Sequence, residues 1–182
     1  KGTGYELTLE LPFADKDDER TNVPIDGAND GGSGVGILLE IARHLVAKAH
    51  GPGVDILFTD VEDHGQPSGA MTAEDASIDT WCLGSKYWVK DPHVPNYTAR
   101  FGILLDMVGA KNARFSQEAL SMKFAPAIVR KVWKTAAALG YADRFPTETQ
   151  YFVGIDDHVP VNEVLRIPTI DIIGFDPATR AF

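Results

Sequence analysis

The sequence has one cysteine, Cys82, so no disulfide can form within the chain; that excludes a stapled mini-fold and leaves the redox compartment open. It is also short of positive charge. Lys and Arg total 17 against 26 Asp and Glu, a formal charge of −9, and such an excess repels phosphate backbones, so nucleic acid is not an expected partner. No apolar run approaches the roughly 20 residues needed to cross a bilayer, and no membrane span is expected. The chain does not open on Met: Lys1 points to a processed or trimmed start with any signal peptide gone. Internal repeats, low-complexity tracts and long linkers are missing too. What is present is 182 residues, 44% of them hydrophobic, enough for one well-buried core and too few for two. A single domain over residues 1–182 is expected.

The hydrophobic periods divide the chain into alternating elements. Tyr5, Leu7, Leu9 and Leu11 alternate with polar residues, the pattern of a half-buried strand towards a sheet edge, and the polar stretch from Ala14 to Asp30 reads as a loop. Val35, Leu38, Leu39, Ala42, Leu45, Val46 and Ala49 then follow three-and-four spacing until Gly51-Pro52-Gly53, which predicts a helix packed on a core. Val54 to Val61, Phe101 to Val108 and Ile167 to Gly174 are short apolar runs of the kind found in strands covered on both faces. Helical spacing covers Trp81 to Val89 and Lys123 to Leu139. The alternation predicts a three-layer α/β fold, a mixed, mostly parallel sheet flanked by helices.

Carboxylates gather at the ends of these elements. Asp30 opens the first helix, Asp60, Glu62 and Asp63 end one strand, Asp106 ends another, and Asp156-Asp157 precede the last. Ligands in open α/β sheets bind outside the carboxyl ends of the strands, and acids crowded there need a cation or shared protons, so a metal site is one physical solution. Taken singly, Asp30 suits a helix cap and Glu62 and Asp63 suit solvated turn acids. Asp106 is harder to explain structurally, because it interrupts a buried apolar run where a carboxylate requires a partner or a proton. Asp156-Asp157-His158 fits a capped turn as well as a site. His64 and His158 read as hydrogen-bonded single histidines, and Cys82 as a small core residue. No G-x-S-x-G elbow, phosphate-binding glycine loop or H-E-x-x-H helix is present. The stretch Gly31-Gly32-Ser33-Gly34-Val35-Gly36 lacks a Lys and follows a loop, so phosphate binding is rejected.

Four segments together resemble the zinc exopeptidase superfamily of M28 type: 27–35 (GANDGGSGV), 58–63 (FTDVED), 104–109 (LLDMVG) and 156–160 (DDHVP). Within that superfamily they most resemble the glutaminyl-peptide cyclotransferases, or glutaminyl cyclases, and 81–88 (WCLGSKYW) is similar to their bacterial branch. The resemblance runs from Tyr5 to Asp176. It implies that Asp30 and Asp63 ligate zinc, that Glu62 is the general acid/base, and that Asp106 and Asp156 form a buried acid pair in a proton relay, with Trp81 or a neighbouring aromatic walling the pocket. The implied partners are peptides with a free N-terminus, preferably glutamine.

Two family segments have no counterpart here: the His-x-Asp segment expected near Leu11-Pro12-Phe13, and the C-terminal Trp-His-Thr-like segment that supplies a zinc-binding histidine. The third zinc ligand is therefore expected outside this chain, together with some active-site loop and C-terminal residues. Two other readings stay open beside the cyclase. One is a co-catalytic aminopeptidase with two zinc ions in place of one, in which Asp30 bridges the metals and Asp106 joins the second. The other is an inactive family member acting as a binding domain. By analogy with bacterial relatives, a periplasmic or secreted location is expected.

Overall fold

The computed structural model describes residues 27–47, 51–63, 80–150 and 155–174. The strand expected at Tyr5–Leu11 and most of the loop before Asp30 lie outside them, as does His64. The first helix, α1 (Gly32–Ala47), starts three residues earlier than its apolar spacing suggests. Val35, Leu38, Ala42 and Leu45 are its half-buried apolar positions, whereas Leu39 and Val46, expected on the same face, are exposed. Gly34 brings it close to the sheet: a Cβ there would sit 2.5 Å from the Leu105 carbonyl oxygen.

A second, short helix, α2 (Leu83–Trp88), falls within the stretch expected to be helical. Two strands, β1 (Gly102–Asp106) and β4 (Thr169–Ile173), pair in parallel, with Gly102 opposite Thr169 and Asp106 opposite Ile173. β1 ends sooner than its apolar run because Met107 turns to φ 47°, out of the extended region. Between them lie β2 (Gln117–Glu118), α3 (Ala119–Phe124), α4 (Pro126–Ala138) and β3 (Thr149–Gln150), which pairs in parallel with β2. A last helical piece, α5 (His158–Pro160), runs into a π-helical turn at Val161–Leu165.

Two expectations need correction. Lys123–Leu139 is not one helix, since α3 ends and α4 begins at Ala125. Pro126 has no N–H to continue α3 and forces the residue before it out of helical geometry, and Ala125 sits at φ −136°. Val54–Val61 forms no strand pairing among the described residues. Ile56 and Phe58 are nonetheless buried on alternate positions, as expected of a half-covered extended run.

Val108, Ala125, Val129, Trp133, Ile170 and Ile172 form the core, with Leu105, Phe115 and Phe145 packed against it. All five residues of β4 are buried. Asn162 ties the π-turn to that strand, donating to the His158 and Thr169 carbonyls and accepting from the Thr169 amide, all at 2.8–3.0 Å.

The 60–63 segment is held from the side by α2. The amides of Cys82, Leu83 and Gly84 donate to the carbonyls of Glu62, Val61 and Asp60 at 2.8, 3.0 and 3.1 Å. Gly84 allows this approach, because a Cβ there would meet the Asp60 oxygen at 2.4 Å and its nitrogen at 2.8 Å. Gly84→Ala gains up to about 1 kcal/mol of helix propensity but forces backbone off backbone, an overpacking cost of about 1–3 kcal/mol. The expected result is a lower Tm together with a lower kcat, read by thermal melting and steady-state assay; an unchanged Tm would show that α2 is not clamped in this way.

Candidate functional site

Three loops, each pinned by backbone groups, bring the predicted acids together. The turn before α1 is stitched to the end of β1: the Gly109 amide donates to Asn29 Oδ1 at 2.8 Å, and the Val108 amide to Ser33 Oγ at 2.9 Å. Asp30 is thereby set beside Asp106. Its carboxyl hydrogen-bonds that of Asp63, the residue that follows the 60–62 segment clamped by the start of α2. Asp156 arrives from the segment before α5, where its Oδ1 accepts from the Asp157 amide at 2.5 Å. Val61 and Met107 flank two of these acids with φ of 56° and 47°. For a β-branched valine this is an uncommon, strained conformation of the sort that collects at functional sites.

The electrostatics record how tightly the acids are packed. Burial, then the charge of Asp63 and the hydrogen bond to it, push the Asp30 carboxyl up to about 6. Burial pushes Glu62 far above the usual carboxylate range, and its hydrogen bond with Asp63 and the charges of Asp156, Asp63 and Asp157 add to the rise. Asp106 is raised to about 7 by burial and by Asp30, Asp63 and Asp157, against the pull of the Met107 amide. Asp156 is raised by burial and by the charges of Asp106 and Asp157. All five sequence-predicted residues, Asp30, Glu62, Asp63, Asp106 and Asp156, thus fall into one mutually interacting group.

Asp30 and Asp63 fit as two ligands of a zinc ion. Two half-buried carboxyls at hydrogen-bonding distance require either a shared proton or a cation between them, and carboxylate oxygen is an accepted zinc donor. Among the described residues they are a pair, without a third donor grouped around them.

The described three-donor group lies elsewhere, at Asp156, His158 and Asp171, whose donor atoms fall within 4.8 Å of one another. Asp156 and Asp171 already hydrogen-bond each other, so a cation there would have to displace the proton between them. Within that group the shared proton belongs to the Asp156–Asp171 pair.

Two residues of this neighbourhood, Asp171 and Glu118, were not singled out from the sequence. Asp171 is 1% exposed. Its backbone amide donates to Ser121 Oγ at 2.8 Å. Asp171 interrupts the apolar run of β4 as Asp106 interrupts that of β1, and the same criterion finds it. Cys82, read as core, is fully buried at the start of α2, with Sγ 3.6 Å from Glu62 Oε1. Trp81 is exposed at 40%.

His158, 2% exposed, faces Glu118, also 2%, with Nε2 3.4 Å from Oε2. Glu118 caps α3, accepting from the Leu120 and Ser121 amides at 2.6 and 2.5 Å. Burial alone would raise Glu118, but the His158 imidazole and these amides overcome it and pull the carboxyl down to about 2. Its folded value lies below the ordinary 4.5, so the stability it contributes is complete above pH 4.5 and is lost as pH falls from there towards 2. The full effect is on the order of 3 kcal/mol. Urea midpoints measured from pH 6 down to pH 2 are expected to fall more steeply for the wild type than for Glu118→Gln; parallel curves would refute the assignment.

The sequence pattern of Peptidase family M28 matches residues 13–181. Among solved structures, a Zn-dependent exopeptidase from Parabacteroides distasonis is 46% identical, superposes with a TM-score of 0.84, and covers 97% of this chain and 61% of its own. A glutaminyl cyclase from Bacteroides thetaiotaomicron, bound to N-acetylhistamine, is 47% identical with a TM-score of 0.84, over 97% of this chain and 60% of its own. A glutaminyl cyclase from Tannerella forsythia is 49% identical with a TM-score of 0.81, over 96% and 60%. The chain therefore spans about three-fifths of the length of these structures. Among curated proteins none matches.

Proposed function

Because the chain belongs to peptidase family M28, we propose that it acts in a zinc-dependent glutaminyl cyclase, which converts the N-terminal glutamine of peptides to pyroglutamate and releases ammonia. The observation that carries this reading is the array of Glu62, Asp106 and Asp156, three carboxyls on which burial, reinforced by the charges of neighbouring acids, keeps protons in the site. An array that stores protons suits a reaction whose work is proton transfer. Zinc held by Asp30 and Asp63, with a donor from outside this chain, would supply electrophilic polarisation of the γ-carboxamide.

The remaining work belongs to side chains. Attack is intramolecular: the α-amine nitrogen bonds to the γ-carboxamide carbon, and the bond from that carbon to the amide nitrogen breaks. Glu62 takes a proton from the attacking amine and passes it to the leaving nitrogen, which departs as ammonia. Asp106 and Asp156 join Glu62 in the proton relay around the substrate, and holding amine and carboxamide together in the folded substrate is an orientation effect worth several kcal/mol in reactions of this kind. The architecture that fits is the three-layer one, a mostly parallel sheet flanked by helices, with α1 packed on β1 and α4 on β4 as two of its contacts.

An aminopeptidase with two zinc ions is the second reading. It is favoured by an observation of its own: a leucine aminopeptidase precursor from Bacteroides thetaiotaomicron is 47% identical over 96% of this chain. One experiment separates the two. The full-length protein, supplied with zinc and a peptide beginning with glutamine, is followed by mass spectrometry. Loss of one ammonia is expected; loss of the whole first residue would establish the peptidase instead. A periplasmic or secreted location goes with the cyclase reading and is tested by fractionating cells of the source organism.

A further inference from the structure

Asp157, next to the acid pair and outside the chemistry assigned above, joins three distant parts of the chain. Its Oδ1 accepts from Ser85 Oγ at 2.5 Å, and its Oδ2 accepts from Thr59 Oγ1. It is 5% exposed, Ser85 1%. Thr59 lies three residues before Glu62. Ser85 lies on α2, whose first amides hold the carbonyls of Asp60, Val61 and Glu62. The Asp157 amide in turn donates to Asp156 Oδ1 at 2.5 Å. One side chain and its own N–H therefore connect the segment bearing Glu62 and Asp63 with the carboxyl of Asp156, although 93 positions separate Asp63 from Asp156 in sequence (156 − 63).

We propose that Asp157 is a positioning residue, which fixes the distance between Asp156 and Glu62 through its hydrogen bonds to Thr59 and Ser85. This rests on the reading of Glu62 and Asp156 as catalytic groups. The alternative is that Asp157 is merely a buried polar group satisfied by two hydroxyls. The two differ in what a truncation does. A structural residue changes the folded fraction, whereas a positioning residue changes turnover in molecules that remain folded.

The connection depends on the shape of the side chain more than on its charge. In Asp157→Asn one oxygen still accepts a hydroxyl and the new NH2 group donates to the other. If that other is Ser85, its hydroxyl retains an acceptor in the Cys82 carbonyl, 3.1 Å away. In Asp157→Ala both hydroxyls lose their common partner and the segment bearing Asp156 is free to move. A displacement of about 1 Å costs on the order of a hundredfold in rate.

The test uses the full-length, zinc-loaded protein, with rates normalised to the folded fraction. Asp157→Ala is expected to lower kcat about ten- to hundredfold with KM within about threefold, and Asp157→Asn to restore kcat to within about threefold of wild type. Thr59→Val and Ser85→Ala should each lower kcat, and neither should lower it further on the Asp157→Ala background. Ammonia release and first-residue release are both recorded. A wild type that releases residues overturns the cyclase reading yet still scores Asp157 on the reaction it performs. Crystal structures of wild type and Asp157→Ala give a readout independent of activity, in which the Asp156 carboxyl should shift relative to Glu62. An unshifted carboxyl, an unchanged kcat for Asp157→Ala, or an Asp157→Asn as slow as Asp157→Ala would each overturn the proposal.

Discussion

Glu62→Gln is expected to reduce kcat by at least about a hundredfold, and up to about ten-thousandfold, while the fold survives. The two side chains have the same shape, and the Cys82 amide bonds to the main-chain oxygen of residue 62, so the clamp from α2 does not depend on the carboxyl. What disappears is a group able to take a proton and return it. Because burial among Asp63, Asp156 and Asp157 already holds Glu62 in its uncharged, protonated form, a neutral amide of the same shape changes little there, and the variant should melt close to the wild-type temperature. Initial rates of ammonia release and a thermal melt check both parts. Retention of more than a tenth of wild-type kcat would remove Glu62 from its role.

Loss of a zinc ligand should have an effect of similar size by a different route. Asp63→Ala and Asp30→Ala each remove one of the two carboxylates proposed to hold the metal. Each is expected to lower zinc affinity by more than about a hundredfold, since even partners behind the ligands account for ten- to hundredfold. Metal counting by elemental analysis of the full-length protein should give one zinc per wild-type chain and well under one for either variant. Chelation of the wild type should abolish turnover and added zinc restore it. Two tightly held ions in the wild type would favour the aminopeptidase. Full zinc content in both variants would move the metal away from Asp30 and Asp63.

Asp106 alone among the predicted acids of this site breaks a local rule, whereas the others suit ordinary caps and turns taken singly and were singled out by their common place at element ends and by the family resemblance. Asp106 is polar in an apolar run, and Asp30 and the Glu62-Asp63 pair stand where elements begin or end. Their convergence at one edge followed from the general geometry of α/β folds. Asp171 breaks the same rule as Asp106 and was open to the same inference. Asp157 and Glu118 were not legible in this way. Their importance lies in partners 98, 72 and 40 residues distant, and no local pattern encodes a hydroxyl arriving from another element. The split between α3 and α4 was written in Pro126, whereas helical spacing alone carries straight across it. Pairing of residues 54–61 was unreadable for another reason, because an apolar run specifies burial and does not specify a hydrogen-bonded neighbour.

The parallel pairing of β1 with β4 also sets an order of events in time. Gly102 meets Thr169 only after 66 intervening residues have been synthesised and partly arranged (169 − 102 − 1), and such non-local pairing is slow compared with the formation of α1 or α4. Until β4 seats, the carboxyls of Asp106, Asp156 and Asp171 remain hydrated, ordinary acids. The nascent chain therefore emerges from the ribosome without the chemistry of the finished protein, and acquires it in a late step when five buried residues close on a strand made long before.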